Sequence, residues 1–354
     1  MKYSQRYHHS PSVKLKSQKG VGLIELMVSI ALGLLIMAGV LQLFATSNTN
    51  SIASQSASRL QENLRYALAR IEDDVAQSGN FGCYSSSFAS SIVEDNQGQI
   101  TPIRNMLADK SGSNDFLGSF ASGQHNIASG NADGILEGSD TLTLKYANSG
   151  SAIPITSVTN TSLTLDVSHP SYNQLQQGQI VMAGDCTSSA IFIITNDLDD
   201  DDDGTNNTNG LIQMATSGTS NDSSDHQIKL SSSLGYLYGG TTGTYEYSIR
   251  TAVGATGVCG SAGTARQHCA LFRRVGGTVE ELVQGVHSFV VEYGVEQPLS
   301  GVLAYTTTPT AAQSRNIDRI KLTIIFNAVD ASVIDGSGLI TKTVERIVSI
   351  RNQI

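Results

Sequence analysis

The sequence predicts an α+β protein in which one long N-terminal helix packs on an antiparallel β-sheet head with long loops. Three observations carry this expectation. An apolar run near the N-terminus continues into a stripe of Leu, Ile and Val at helical spacing; short β-branched segments fill the C-terminal half; and Gly, Ser, Thr and Asn dominate the stretches between them.

Residues 1–20 carry Lys2, Arg6, Lys14, Lys16 and Lys19 and no acidic residue. From Val21 to Phe44, a run of 24 residues, Glu25 is the only ionisable side chain. At about 1.5 Å per residue such a helix is about 36 Å long, enough to cross a hydrocarbon core of about 30 Å. The positive-inside bias then keeps the N-terminus in the cytoplasm and exports the chain beyond Phe44. A secretory signal has its small-residue cleavage site after the apolar region, whereas Gly20 stands before it. Cutting at Gly20 removes the basic leader (1–20) and keeps the apolar segment (21–45). Val21 becomes the N-terminus, with Glu25 one helical turn inside the bilayer edge. A free amine and a carboxylate in lipid relieve each other, so the attractive partner for Glu25 is the amine of a neighbouring copy, which would set the axial stagger of an assembly. A plain signal anchor would leave unexplained a carboxylate that costs on the order of 3 kcal/mol at a helix centre.

The helix does not stop at Phe44. Residues 45–58 are polar but contain no Pro or Gly, and Leu60, Leu64, Leu68, Ile71 and Val75 then recur at spacings of three and four. They form one apolar stripe, with Arg59, Glu62, Arg65, Arg70, Glu72 and Asp73 mostly on the other faces. Gly79 stands where a C-terminal glycine cap belongs. The spacing therefore predicts a helix over Leu23–Gln77, whose amphipathic part occupies 46–78. Gly22, Gly33 and Gly39 weaken it locally by about 1 kcal/mol each against Ala in water.

The head, 79–354, begins with a stretch from Asn80 to Gly138 that shows few elements and is expected to be extended and partly irregular. Strands are expected over 141–146, 162–167, 191–195, 245–251, 286–293, 319–328 and 341–350. Alternation is clean in the sixth. Ile320, Leu322, Ile324 and Phe326 face one way and Arg319, Lys321 and Thr323 the other, as in a half-buried antiparallel strand. The helix stripe is the partner for that face.

Composition narrows the function. Charged residues make up 15% of the chain and the net charge is −9; loss of the five leader cations, unaccompanied by any anion, takes it to −14. Such a surface does not attract nucleic acid. Cys83, Cys186, Cys259 and Cys269 all fall in the exported part, where oxidation is expected. Four cysteines permit three pairings; the ten-residue offset across a Gly-rich stretch favours Cys259 with Cys269 and leaves Cys83 to Cys186. Asp199, Asp201 and Asp203 with Gly204 fit positions one, three, five and six of a calcium loop, but position twelve is Gly210 rather than Glu. A Ca2+ site there competes with a solvated acidic turn. No histidine has metal-ligand spacing, and there is no G-x-S-x-G elbow or P-loop. No enzymatic activity is expected.

Gly20, a hydrophobic Val21, Glu25 and the uninterrupted apolar helix resemble the class III leader of type IV pilins and type II secretion pseudopilins. That resemblance implies cleavage between Gly20 and Val21 by a prepilin peptidase, N-methylation of Val21, a role for Glu25 in assembly, and a pilin-like fold. The order of later segments is similar to the PilW-type minor pilins. These segments are L-Q-E-N-L-R-Y-A-L from Leu60, G-N-F-G-C ending at Cys83, A-G-D-C ending at Cys186, L-F-R-R from Leu271, E-L-V-Q-G-V from Glu281, V-E-Y-G-V from Val291 and T-V-E-R-I-V-S-I-R-N from Thr343. It implies a low-abundance subunit that primes type IV pilus assembly at or near the tip and supports adhesion or motility. Its partners would be other minor and major pilins and the inner-membrane assembly platform. The chain would be single-pass in the inner membrane with a periplasmic head, and extracellular in the pilus after assembly. A minor pseudopilin of a type II secretion system shares the leader and helix. A membrane-anchored periplasmic binding protein or enzyme would need neither Gly20 processing nor Glu25.

Overall fold

The structure, a computed structural model, describes residues 22–80, 103–108, 119–147, 150, 152–185, 188–199, 205–214, 221, 230, 235–239, 243–260, 263–275, 278–296, 302–310, 313–329 and 339–350. Two compact units divide the chain, 1–54 and 55–354, and helix α1 (Leu23–Gln77) contributes to both. α1 ends where Gly79 takes φ +74°, a left-handed conformation that L side chains resist; the Gly79 N–H donates to the Lys145 carbonyl at 3.0 Å.

The described residues of the second unit form sixteen strands: β1 (Ile103–Asn105), β2 (Ala121–Ser122), β3 (Leu142–Tyr146), β4 (Ala152–Val158), β5 (Ser162–Leu165), β6 (Ile180–Gly184), β7 (Ser189–Ile193), β8 (Leu211–Gln213), β9 (Tyr236–Tyr238), β10 (Gly243–Thr251), β11 (Cys269–Val275), β12 (Thr278–Gln284), β13 (Val286–Glu296), β14 (Leu303–Thr306), β15 (Ile317–Asn327) and β16 (Thr341–Ser349). They form three sheets, in the orders β12-β11-β10-β3-β2, β14-β13-β15-β16 and β1-β7-β6-β9-β4-β5-β8. All pairings are antiparallel except β1 with β7.

The first two sheets share one core with α1. Leu60, Ala67, Leu68, Ile71 and Val75 of the helix are buried together with Ile320, Leu322, Ile324 and Phe326 of β15, the face that alternation assigned to them. Leu64 is only partly buried against the same cluster. Burial of each such aliphatic side chain stabilises the fold by about 1.5–3 kcal/mol before the conformational entropy of ordering it is subtracted.

The seven-stranded sheet has a separate core around Ile153, Val181, Phe192 and Leu237. Its position is set by register: β3 and β10 pair directly, Leu142 with Tyr247 through to Tyr146 with Gly243. The intervening residues thus enter and leave between two adjacent strands, and most of the sheet is an insertion into the helix-backed head. The stretch from Asn80 to Gly138, expected to be irregular, contributes the short strands β1 and β2 among its described residues.

Candidate assembly segment

The sequence singled out the first part of α1, and its chemistry is that of a segment to be covered. The large apolar residues from Leu23 to Phe44 are between 52% and 78% exposed. By length and composition this helix is able to cross a membrane. Gly22 accepts the first backbone bonds, from Glu25 and Leu26 at 3.0 and 3.2 Å. Glu25 therefore sits in the first turn, where its negative charge complements the helix dipole. The Ser29 hydroxyl donates to the Glu25 backbone carbonyl at 2.6 Å, not to its carboxylate. No described residue pairs with that carboxylate. Gly20 and Val21, the expected cleavage and methylation positions, lie outside the described residues.

Within the second unit, the helix is fixed by a buried charged cluster that the apolar pattern did not disclose. Asp74 is fully buried. Its Oδ1 accepts from the Tyr146 hydroxyl at 2.8 Å, and its Oδ2 from the Tyr247 hydroxyl at 2.6 Å and from Arg273 Nε at 2.7 Å. Strands β3, β10 and β11 thus each send a donor to one helix carboxylate. Tyr245 stacks on Tyr146 with ring centroids 4.1 Å apart, and the Arg273 guanidinium carbon lies 4.8 Å from the Tyr245 centroid. Burial, and then the Asp74 carboxylate, push both the Tyr146 and Tyr247 hydroxyls well above the ordinary tyrosine range, so each remains a donor. Burial works to lower Arg273, but Asp74 and the two hydroxyls outweigh it and hold the guanidinium charged. A signal was present in the sequence: Asp74 lies three residues after Ile71 and seven after Ala67, on the buried stripe itself.

A disulfide joins Cys259 to Cys269, with Cα atoms 4.6 Å apart. Cys83 and Cys186 lie outside the described residues, as do Asp201 and Asp203 of the acidic loop. Asp199 is half-buried and donates its N–H to Asp197 Oδ1 at 3.2 Å. Among the described residues, no group of three or more His, Cys, Asp or Glu is placed to hold a metal ion. His125 Nδ1 is 2.9 Å from buried Asp140, which also accepts from the Asn126 and Val291 N–H groups. His287 Nδ1 is 3.0 Å from Asn327 Oδ1. The first pair ties two loops together beside β13, and the second joins β13 to β15.

Comparison with known proteins bears on the leader. Residues 15–41 match the family described as the prokaryotic N-terminal methylation motif. No curated protein and no solved structure matches the chain. The motif implies processing by prepilin peptidase and assembly with other pilins, and it suggests a structural rather than enzymatic protein. With the long apolar helix and the antiparallel sheets of the head, it supports a type IV pilin-like protein, a pilin or pseudopilin that fits membrane anchorage through α1.

Proposed function

We propose that this chain is a minor pilin of the PilW type, which primes type IV pilus assembly and resides at or near the pilus tip. The pilin part of this reading is supported by the methylation motif over residues 15–41, joined to a helix whose apolar residues are exposed and whose only ionisable group before Phe44 is Glu25; the minor, PilW-type part rests on the resemblance in the order of the segments from Leu60 to Asn352. Prepilin peptidase cuts between Gly20 and Val21, and Val21 is methylated. The head waits in the periplasm on its inner-membrane helix until the assembly platform draws it into a filament. There Glu25 meets the N-terminal amine of a neighbouring subunit and sets the stagger. The head then makes the tip contacts that support adhesion or motility.

The deciding experiment is to shear surface filaments from cells, recover this protein and determine its N-terminus by mass spectrometry. A chain that begins at methylated Val21 in that fraction is the expected result. A processed chain confined to the inner membrane, whose deletion blocks protein secretion while pili persist, would instead make it a minor pseudopilin. An intact leader in the inner membrane would overturn both readings.

A further inference from the structure

The fold requires a glycine at Gly210. Its φ is +66°, and a Cβ there would lie 2.6 Å from the Leu165 carbonyl oxygen, so a side chain has no room between the end of β5 and the start of β8. The residue before it is Asn209, and no other asparagine of the chain precedes a glycine. A side-chain amide thus stands next to the least hindered kind of backbone nitrogen.

The turn around this pair is braced from three sides. Asn206 Nδ2 donates to the Tyr172 and Leu175 carbonyls at 2.7 and 3.1 Å, the Asn207 N–H donates to the Leu198 carbonyl at 2.7 Å, and the Leu165 N–H to the Gly210 carbonyl at 2.9 Å. Asn209 itself is exposed. Its Oδ1 accepts from the Leu211 N–H at 3.0 Å, and the ring closed by that bond contains both Asn209 Cγ and the Gly210 nitrogen. The bond also aims a donor at the oxygen on which charge develops if the nitrogen adds to Cγ. The amide nitrogen is the leaving group of that addition. Asn131, Asn196, Asn206, Asn221 and Asn327 each donate through Nδ2, whereas among the described residues Asn209 Nδ2 has no hydrogen-bond partner. One contact opposes the attack: the Gly210 N–H faces the Tyr172 hydroxyl oxygen. A hydrogen bond between neutral groups slows the step by about tenfold at most.

We propose that Asn209 is a site of spontaneous covalent modification, in which the Gly210 nitrogen displaces the side-chain amide. Hydroxide takes the Gly210 N–H proton, the bond from nitrogen to Cγ forms, the Cγ–Nδ2 bond breaks, and ammonia leaves with a proton from water. The product is a five-membered succinimide. Water then opens it, at Cγ to leave an aspartyl residue or at the backbone carbonyl to leave an isoaspartyl one; nothing is oxidised or reduced. Either product sets a new carboxylate in a turn that Asn207 ties to Leu198, between Asp197 and Asp199. The isoaspartyl product also adds a methylene to the main chain just before β8, an edge strand paired with β5 alone among the described strands. The reaction is a slow, irreversible loosening of that edge. It goes beyond the pilin reading and does not depend on leader cleavage.

The test incubates the full chain in detergent and follows Asn209 by peptide mass spectrometry, with electron-transfer fragmentation to locate the change and to separate aspartyl from isoaspartyl product. Position 209 should gain the mass of an amide-to-acid exchange while Asn206, Asn221 and Asn327 stay unchanged. The rate should rise about tenfold per pH unit, because the attacking nitrogen must first lose its proton. It should stay within about tenfold of the rate in the guanidinium-unfolded chain, the limit set by the Tyr172 contact. Asn209→Gln, whose longer side chain would have to close a six-membered ring, should show no conversion at this position. Amide exchange over Leu163–Leu165 and Leu211–Gln213 should quicken in the isoaspartyl fraction. No mass gain at 209, equal conversion of the other three asparagines, or a folded chain slower than the unfolded one by well over tenfold would overturn the proposal. Unchanged exchange in the isoaspartyl fraction would overturn the loosening of the β8 edge.

Discussion

Arg273 Nε donates to Asp74 Oδ2 across 2.7 Å, and both side chains are buried, so the last turns of α1 are tied to β11 of the five-stranded sheet by a charge pair shielded from water. Its second carboxylate partner matters less. Arg273 Nη1 lies 3.3 Å from Glu280, but that side chain is 53% exposed, and pairs of this kind contribute about 0–1 kcal/mol. Asp74→Ala leaves a guanidinium and two tyrosine hydroxyls without their acceptor. The expected loss in urea unfolding is about 3–5 kcal/mol, the range for breaking one side of a buried pair. Asp74→Asn keeps an acceptor and should lose less. Glu280→Ala should move the midpoint by under about 1 kcal/mol.

His287 gives the stability a pH dependence. Burial is the largest influence on its imidazole and pulls the pKa below 6.5; Asn327 works the other way and the nearby Arg266 charge lowers it further. The Asn327 amide nitrogen donates to the Arg266 and Ala328 carbonyls, which leaves Oδ1 to accept from the neutral ring at Nδ1. The unfolded chain therefore binds the proton at higher pH than the folded one. The contribution of this group is fully present above pH 6.5 and is lost as pH falls through the lower folded-state value. Melting temperatures recorded down an acid series should drop less steeply for His287→Gln than for the wild type, with the two curves parallel above neutrality.

The disulfide links Cys259 to the buried start of β11 across a sequence separation of ten. In the loop-entropy account, a link of this span restricts the unfolded chain by about 3 kcal/mol. Cys259→Ser is the better probe, because Cys269 is also part of the core and its replacement would remove packing as well. Unfolding of Cys259→Ser should cost about 3 kcal/mol less than that of the wild type. Reductant should destabilise the wild type by at least this much.

The two elements read most directly from the sequence each have one dry face and one wet one. The stripe from Leu60 to Val75, stopped by Gly79, announced α1, and the alternation from Ile320 to Phe326 announced β15 together with the helix as its partner. Strands β6 and β11 escaped because Val181 to Gly184 and Cys269 to Arg273 are consecutively buried. A strand covered on both faces has no period of two to detect. The charged cluster escaped for a different reason. Asp74 stands on the apolar stripe, but its donors are 72, 173 and 199 residues away, and nothing local shows that three strands will converge on it. The leader was legible because its function depends on contiguous residues.

The remaining prediction separates a filament subunit from a membrane anchor. Glu25 lies in the first turn of α1, ahead of apolar residues that stand exposed in the isolated chain. In an anchored monomer the carboxylate serves no purpose, and Glu25→Ala would remove a cost of insertion. In a filament the same carboxylate meets a neighbouring amine in a medium of low dielectric, where unit charges attract several times more strongly than in water. Glu25→Ala should then leave membrane insertion and the melting temperature of the head unchanged, yet reduce the amount recovered in sheared filaments by about tenfold or more, the factor expected from about 1.4 kcal/mol. Glu25→Asp, which keeps the charge on a shorter arm, should recover part of the loss. Equal recovery of Glu25→Ala and wild type in the filament fraction would mean that the stagger is set by something other than this residue.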